Sequence, residues 1–184
     1  MGRVYEPAED SLLLLRHLEG LVDGLVLDMG TGSGVQAVAT ASKPEVSRVV
    51  AVDIDPEAVG EARRRAAEAG VSDRVEFLVC DLFRGLGRGG FDWIVLNPPY
   101  LPSEGEADEA SWSGGRTGGE VIERFLMGAA ERLRPGGGIL LVCSTLTGLD
   151  LERWSERYSV DVLEELPLFF ERLVCLLLRP LSPS

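Results

Sequence analysis

Apolar residues occur along the chain in two alternating patterns. Short unbroken apolar runs bounded by Gly, Pro or Asp are typical of buried parallel strands, and apolar residues three or four positions apart are typical of helices packed on a sheet. The runs predict strands at 25–29, 48–52, 75–80, 91–96, 139–143, 160–166 and 172–178, and the helical spacing predicts helices at 6–20, 35–42, 56–70, 120–134 and 149–158. This alternation predicts an α/β fold with a mainly parallel sheet. The last two strands are joined too briefly for a parallel crossover, so the sheet is expected to end in an antiparallel strand.

Composition and charge narrow the class of protein. With 184 residues, of which 45% are apolar, the chain is predicted to form one globular domain over residues 1–179, followed by a short tail at 180–184. A net charge of −12 argues against a large phosphate-binding surface, so a nucleic-acid partner is not expected. The apolar run Leu12 to Leu15 is too short to cross a membrane and follows acidic residues, unlike a signal peptide or an anchor.

The cysteines predict a reducing compartment. Cys80, Cys143 and Cys175 are odd in number and lie in or beside predicted strands, so they are expected to be reduced, buried thiols. With His17 as the single histidine, they offer no metal-ligand spacing. A cytoplasmic protein without a metal site is therefore expected.

A glycine-rich segment, Gly30-Thr31-Gly32-Ser33-Gly34, joins the first strand to the next helix. Such a turn brings backbone N–H groups close to a bound ligand. The dinucleotide pattern G-x-G-x-x-G fails from Gly30 because Val35 replaces the third glycine, but the looser G-x-G-x-x-A pattern fits from Gly32. Asp28, just before the first glycine, would repel a pyrophosphate and suits a ligand that carries an ammonium and a sulfonium group. S-adenosylmethionine is such a ligand, and a dinucleotide such as NAD is the alternative.

Acidic residues follow the next two strands. Asp53 lies about twenty residues after the glycines, where a carboxylate can accept both hydroxyls of a ribose. Asp55 precedes Pro56 and is predicted to cap the third helix. The pair Asp81-Leu82 follows the third strand, where it could hydrogen-bond an adenine amino group and pack against its ring.

The segment Asn97-Pro98-Pro99-Tyr100 follows the fourth predicted strand and is the candidate catalytic turn. Asn97 is the only asparagine in the chain, and Gln36 is the only glutamine. Two consecutive prolines stiffen the backbone and remove two N–H donors. The Asn97 side-chain oxygen and the Pro98 carbonyl oxygen can together accept both hydrogens of a planar –NH2 group, on which Tyr100 can stack. An ordinary strand-ending turn is the alternative, since Asn and Pro are common turn residues.

Residues 101–119, after this turn, form a long polar segment with Trp112 and Arg116 as its large side chains. Loops of this length are usually functional or disordered. Their position directly after the candidate catalytic turn favours a role in gripping the substrate.

Together these motifs resemble one known family. The segments Val4 to Asp10, Asp28 to Gly34 and Asn97 to Tyr100, with Asp53, Asp81-Leu82 and Trp112 to Arg116, are similar to those of the HemK-type glutamine methyltransferases of peptide-chain release factors. The resemblance runs from Val4 to about Leu178 and points to the short eukaryotic and archaeal branch. Asp28 stands where many members have Glu, which changes the reach of the carboxylate but not its charge.

The resemblance implies a seven-stranded Rossmann-like sheet in the order 3-2-1-4-5-7-6, with strand 7 antiparallel and S-adenosylmethionine bound at the carboxyl ends of the strands. The implied cofactor-binding residues are Ser11, Asp28 and Gly30 for the methionine part, Thr31, Gly32 and Gly34 in the glycine loop, Asp53 for the ribose, Asp81 and Leu82 for the adenine, and also Asn97. Asn97 and the Pro98 carbonyl would hold the amide nitrogen of the target glutamine, with Pro99 and Tyr100 completing the catalytic turn.

A small activator subunit is also implied by the resemblance. The related eukaryotic and archaeal enzymes work with such a subunit, which binds zinc in eukaryotes. In the implied sheet order, the strand 75–80 lies at an edge of the sheet. Glu76 is its only charged residue, and apolar edge strands with little charge tend to pair with another chain. The alternative is that helices and Arg74 protect this edge and the chain works alone.

The activity implied by the resemblance is transfer of a methyl group to the N5 amide nitrogen of the glutamine in the Gly-Gly-Gln motif of a release factor. An amide nitrogen is a poor nucleophile, so orientation and polarisation of its N–H bonds must supply most of the acceleration, and no catalytic His or Lys is needed. The alternatives are methylation of another planar or amino nitrogen, on RNA, DNA or a protein lysine, and a cofactor-binding module without activity.

Overall fold

The computed structural model describes residues 9–98 and 119–181, which form a seven-stranded sheet with helices on both faces. The strands are arranged in the order β3-β2-β1-β4-β5-β7-β6. They are β1 Gly24–Met29, β2 Val46–Asp53, β3 Val75–Val79, β4 Phe91–Leu96, β5 Leu133–Ser144, β6 Tyr158–Pro167 and β7 Arg172–Pro180. The order confirms the predicted sheet and the α/β class.

The directions of the strands fix where a ligand site can form. β1 pairs in parallel with β2 and β4, β2 pairs in parallel with β3, and β4 pairs in parallel with β5. β7 runs antiparallel to both β5 and β6. The carboxyl ends of β1 to β5 therefore meet at one edge of the sheet, called the carboxyl edge below, and the turn between β6 and β7 lies at the same edge. The chain order reverses between β1 and β4, where open α/β sheets bind their ligands.

The α-helices of the described residues are α1 Glu9–Leu21, α2 Val35–Ala41, α3 Pro56–Glu68, α4 Glu120–Ala129 and α5 Leu151–Ser155. α1, α2 and α3 pack on one face of the sheet and bury residues such as Leu13, whereas α4 and α5 bury Phe125 and its neighbours on the other face. Val26 and Leu27 are adjacent on β1 and point into different clusters, as the alternation of strand side chains requires. None of these helices is long and apolar enough to cross a membrane.

The predicted helix 120–134 is too long. α4 ends at Ala129, and β5 already begins at Leu133, so the glycines at 136–138, a sequence typical of a helix stop, lie within a strand. A side chain at Gly138 would come within 2.7 Å of the Trp93 ring. Close contact with the large ring on β4 therefore explains this glycine.

The predicted helix 149–158 is also too long, since α5 covers only Leu151–Ser155. Tyr158 instead begins β6, where its ring is fully buried and its hydroxyl donates to the backbone oxygen of Leu126 at 2.6 Å. This contact draws the residue out of the helix. β7 extends through Pro180, the first residue of the expected tail.

None of the three cysteines forms a disulfide. Burial raises the pKa of Cys143 to about 11 and that of Cys175 to about 12, so both thiols stay protonated at neutral pH. Cys80 is only half-buried, which corrects the prediction that all three are buried.

Several predictions lie outside the described residues. They concern residues 4–8 of the amino-terminal motif, Pro99 and Tyr100 of the catalytic turn, and residues 101–118 with Trp112 and Arg116.

Candidate active site at the carboxyl edge

Residues from four elements meet at the carboxyl edge. Asp28 is the next-to-last residue of β1, Asp53 is the last residue of β2, and Asn97 directly follows β4. Neighbouring strands lie about 4.8 Å apart, so these three positions fall within roughly 10 Å of one another across the sheet. Ser11, in the first turn of α1, reaches the same place, with its Oγ 3.4 Å from Asn97 Nδ2. The structure therefore brings together residues that were predicted to bind the cofactor and Asn97, which was predicted to hold the substrate.

The glycine loop follows β1 and leaves space for a ligand. Gly30, Gly32 and Gly34 have φ angles of 68°, 51° and 81°, a region that favours glycine. A side chain at Gly34 would lie 2.7 Å from the backbone of Ala62 in α3, so this glycine permits close packing between elements. Side chains at Gly30 and Gly32 would have their nearest neighbours 3.9 and 4.0 Å away. The space above these two glycines is open, as a cofactor cradle requires.

Two carboxylates hold this loop. The Gly32 N–H donates to Asp53 Oδ2 at 2.8 Å, and the Thr31 hydroxyl donates to Asp28 Oδ2 at 2.6 Å. Asp53 Oδ1 also accepts from the Asp55 N–H at 3.0 Å. Asp55 itself caps α3, as predicted. The two acids at the strand ends therefore position the loop around the ligand space.

The Asp28 carboxyl is buried. The residue is 3% exposed, and burial raises its pKa from 3.8 to about 7, with a further rise from the charge of Asp53. Hydrogen bonds from the Thr31 hydroxyl and the Ala37 N–H oppose this rise. A cation beside Asp28 would favour its ionised form. The pair therefore suits a ligand with a sulfonium and an ammonium group and disfavours a pyrophosphate.

The pair Asp81-Leu82 lies beyond β3 at the same edge. Asp81 Oδ2 accepts from the Arg124 guanidinium of α4 at 2.7 Å, so an adenine amino group would share this carboxylate with an ion pair. Leu82 has a φ of 47°, the only positive φ of a non-glycine residue in the described part of the chain. Such a conformation costs on the order of 1–3 kcal/mol and concentrates at ligand sites. The half-buried Leu82 side chain is available to pack against a ring.

Contacts with α1 fix the orientation of the Asn97 side chain. Nδ2 donates to Asp10 Oδ2 at 3.1 Å. Because a carboxylate only accepts, the amide must turn its nitrogen toward Asp10 and its oxygen away. That oxygen, Oδ1, is buried and has no hydrogen-bond partner among the described residues. A buried acceptor without a donor costs about 1–3 kcal/mol, so Oδ1 is oriented for a donor that a ligand brings. Pro98, which follows, is also buried.

Asp10 is the functional residue that sequence reasoning missed. Acids at the start of a helix are ordinarily explained by the helix dipole, and in this helix only Ser11 was predicted to have a site role. In the structure Asp10 is 3% exposed, and its Oδ1 accepts from the Ser11 N–H at 2.7 Å. Acids are common at helix starts, so the sequence pattern does not distinguish one that faces solvent from one that orients Asn97. The contact between residues 87 positions apart decides it.

The sheet order, the glycine loop after β1, the acid at the end of β2 and the Asn-Pro sequence after β4 define a class I methyltransferase. The model of the methyltransferase small domain family matches residues 7–151, and the chain belongs to this family. This chain is therefore a methyltransferase by family.

Individual relatives carry more specific names. A protein of Methanocaldococcus jannaschii assigned as a protein N5-glutamine methyltransferase is 40% identical over 150 residues, which are 79% of this chain and 74% of that protein. The release factor glutamine methyltransferase of Koribacter versatilis is 40% identical over 128 residues, which are 63% of this chain and 45% of that protein. Among solved structures, the E. cuniculi Mtq2–Trm112 complex, described as methylating the translation termination factor eRF1, has a TM-score of 0.72 at 24% identity and covers 96% of this chain and 98% of that chain.

Proposed function

We propose that this methyltransferase transfers a methyl group from S-adenosylmethionine to the side-chain amide nitrogen of a glutamine, in the Gly-Gly-Gln motif of a peptide-chain release factor. The observation that carries the proposal is the buried Oδ1 of Asn97, which has no hydrogen-bond partner among the described residues and is held in one orientation by Asp10. A release factor acts on ribosomes, so the proposed location is the cytoplasm. The named relatives support the substrate class.

The acceptor geometry fits a planar –NH2 group. Its two N–H bonds diverge within one plane, so the group needs two acceptor oxygens that lie in that plane. Asn97 Oδ1 is one acceptor, and the carbonyl of the adjacent, buried Pro98 is the second. Both hydrogen bonds draw electron density toward the nitrogen and fix the orientation of its lone pair, which stands perpendicular to the amide plane. Orienting and polarising the nitrogen in this way supplies the acceleration that a weak nucleophile requires.

The remaining site residues bind and orient the cofactor. S-adenosylmethionine, when bound, supplies a methyl group on a positively charged sulfur. The carboxylates of Asp28 and Asp53 would attract its cationic groups and its ribose hydroxyls, and Ser11 would contact its methionine end. Transfer of this methyl group to the nitrogen would leave the cofactor as a neutral thioether. One proton of the amide nitrogen would pass to solvent water, while Asn97 Oδ1 would hold the other hydrogen in place.

A second class of acceptor, an exocyclic amino group of a nucleobase, would fit the same pair of oxygens. The net charge of −12 works against a polyanionic substrate, and the buried acids beside the site add to this repulsion. A glutamine in a folded protein carries no such charge. The proposal therefore favours the protein substrate.

The decisive experiment offers radiolabelled S-adenosylmethionine with a release factor, with the same protein carrying Gln→Ala in its Gly-Gly-Gln motif, and with tRNA and duplex DNA. Label is expected in the intact release factor alone, as N5-methylglutamine. Label in the Gln→Ala protein at the same level would overturn the glutamine assignment. Label in nucleic acid, without label in the release factor, would favour the second class.

We propose in addition that a small activator subunit pairs with the edge strand β3. β3 lies at one end of the sheet, and Leu78 and Val79 are 41% and 53% exposed. Phe77 is already covered, since the Arg63 guanidinium of α3 stands 5.7 Å from the centre of its ring. An added strand would therefore cover Leu78 and Val79 and complete the hydrogen bonding of β3. Any zinc in such a complex belongs to the partner.

The edge proposal has its own test. Co-expression with an activator subunit of a related enzyme is expected to raise the solubility and the activity of the chain. Leu78→Lys, or Val79→Pro, is expected to abolish this effect, because each blocks an added strand. Met127→Lys, at an exposed apolar position on α4, is the matched control and should leave it intact. Full activity of the chain alone, with no small partner in a pull-down from its native extract, would contradict the proposal.

A further inference from the structure

Two adjacent phenylalanines project from the turn between β6 and β7. Phe169 is 91% exposed and Phe170 is 84% exposed, and their rings contact each other edge to face with centres 4.6 Å apart. The Leu168 N–H donates to the backbone oxygen of Glu171 at 2.8 Å across the turn, so the two phenylalanines occupy the central positions of the turn. Gly, Asn, Asp and Pro usually fill such positions. Turn geometry therefore does not explain two large apolar side chains there.

The turn is firmly held, so its rings are preorganised. Glu171 accepts a hydrogen bond from the Ser144 hydroxyl, and the Arg172 N–H donates to Thr145 Oγ1 at 3.1 Å. On the other side, Glu164 of β6 pairs with Arg16 of α1 at 2.8 Å. The hairpin is thus fastened to the end of β5 and to α1, the helix that also carries Asp10 and Ser11. A rigid aromatic anchor of this kind loses little conformational entropy on binding.

The turn stands beside the candidate active site. Across the sheet, the hairpin lies two to three strand spacings from β4. Along the strands, Leu96 is level with Leu176 of β7, and the turn begins about six residues before Leu176. These spacings place the rings roughly 20 Å from Asn97. A folded domain of about 100 residues is roughly 30 Å across, so a domain that inserts one loop at Asn97 would also reach the turn.

Other apolar features adjoin the turn. Leu146, which follows β5, is 51% exposed. A cleft of about 220 Å³ opens beside it, lined by Cys143, Thr147, Leu149, Leu151 and Val174 among others. We call Leu146, Phe169 and Phe170 the hairpin platform. Near the platform Arg172 pairs with Glu165 and Glu164 pairs with Arg16, so charged groups border the aromatic residues, as in the rim of a protein interface.

We propose that the hairpin platform docks the folded domain of the substrate protein that carries the acceptor glutamine. This inference rests on the proposed function, because it requires a protein substrate. The area of the platform favours this occupant over a second copy of the chain. The two phenylalanines together can bury about 300–500 Å², which is below the ~800 Å² per partner of a stable interface. The platform therefore suits one part of a larger contact that is centred on the active site.

The test compares the double variant Phe169→Ser/Phe170→Ser with the wild-type chain. Both side chains are exposed, so the substitutions should change stability little. The matched control is Val162→Ser, which removes a 52% exposed apolar side chain on β6 of the same hairpin, away from the turn. The assays are steady-state methylation of the whole release factor, calorimetric binding of S-adenosylhomocysteine, and sedimentation to measure oligomeric state.

The double variant is expected to raise the KM for the release factor about tenfold or more. Its kcat and its affinity for S-adenosylhomocysteine should stay within about twofold of wild type, and Val162→Ser should match wild type throughout. An unchanged KM, in an assay where the wild type is active, would overturn the inference and leave the proposed function standing. A lower kcat at unchanged KM, or a wild-type dimer that the substitutions dissociate, would also overturn it. A wild-type chain inactive on the release factor would overturn the proposed function, and this inference with it.

Discussion

Replacing Asp28 by Asn should stabilise the ligand-free protein at neutral pH while impairing cofactor binding. The pKa of the buried carboxyl rises from 3.8 to about 7, about three units. At 1.36 kcal/mol per unit, ionising this group in the folded state costs about 4 kcal/mol relative to the unfolded chain. Asn carries no charge and removes this cost. It accepts poorly from both the Thr31 hydroxyl and the Ala37 N–H, which reduces the gain to roughly 1–3 kcal/mol.

The difference in stability between Asp28→Asn and the wild-type chain should depend on pH. Between about pH 4 and pH 7, the folded wild-type chain holds a proton on Asp28 that the unfolded chain has lost, so this group makes stability fall as the pH rises. Above pH 7 the cost is complete and constant. Asp28→Asn lacks this term, so its advantage over wild type should grow from pH 5 to pH 8.

Thermal unfolding across this pH range measures the difference, at about 2–4 °C of melting temperature per kcal/mol for a chain of this size. Calorimetry with S-adenosylmethionine tests the effect on cofactor binding. Wild-type affinity should rise with pH up to about 7 as Asp28 ionises. The variant should bind weakly at every pH, without that rise. A variant less stable than wild type at pH 8, or a stability difference that does not change with pH, would refute the reasoning.

Three further substitutions separate binding from chemistry. Asn97→Ala should lower turnover about 100-fold or more and leave cofactor affinity within a few-fold, as expected for losing one oriented hydrogen-bonding group; full turnover would contradict the acceptor role. Asp10→Ala should lower turnover about tenfold or more because Asn97 loses its anchor, whereas Asp10→Asn, whose side-chain oxygen can still accept, should recover much of it. Equal losses in the two Asp10 variants would argue against positioning. Asp53→Ala should weaken cofactor binding by about 1.5–3 kcal/mol, while the control Asp55→Ala should cost about 1 kcal/mol of stability and leave affinity unchanged in calorimetry.

Much of the fold was predictable because strands and helices carry distinct apolar periods. β4 was predicted with its observed bounds, Phe91–Leu96, since a buried central strand is apolar almost throughout. The errors fall where a tertiary contact overrides local pattern. The glycines before residue 139 look like a helix stop, but the Trp93 ring requires Gly138 within β5. Tyr158 continues a helical pattern, yet its buried hydrogen bond to Leu126 starts a strand.

Part of the candidate site was also predictable from the sequence, and part was not. Residue types at strand ends predicted Asp28, Asp53 and Asn97, because parallel strands deliver their carboxyl ends to one edge whatever the loops do. The role of Asp10 was not predictable, because it depends on α1 lying against the end of β4, and no local period encodes that approach. The elevated pKa of Asp28 also depends on how deeply the fold buries it.

The order of elements, the sheet class and the chemical groups at the ligand edge follow from the sequence alone, since these depend on periodicity and chain direction. Tertiary contacts fix which of these groups are buried, which way the Asn97 amide points, and that Phe169 and Phe170 stand exposed at the same edge of the sheet. Orientation and burial are set by contacts between residues far apart in the chain, and such contacts leave no signal in the local pattern of apolar and polar positions.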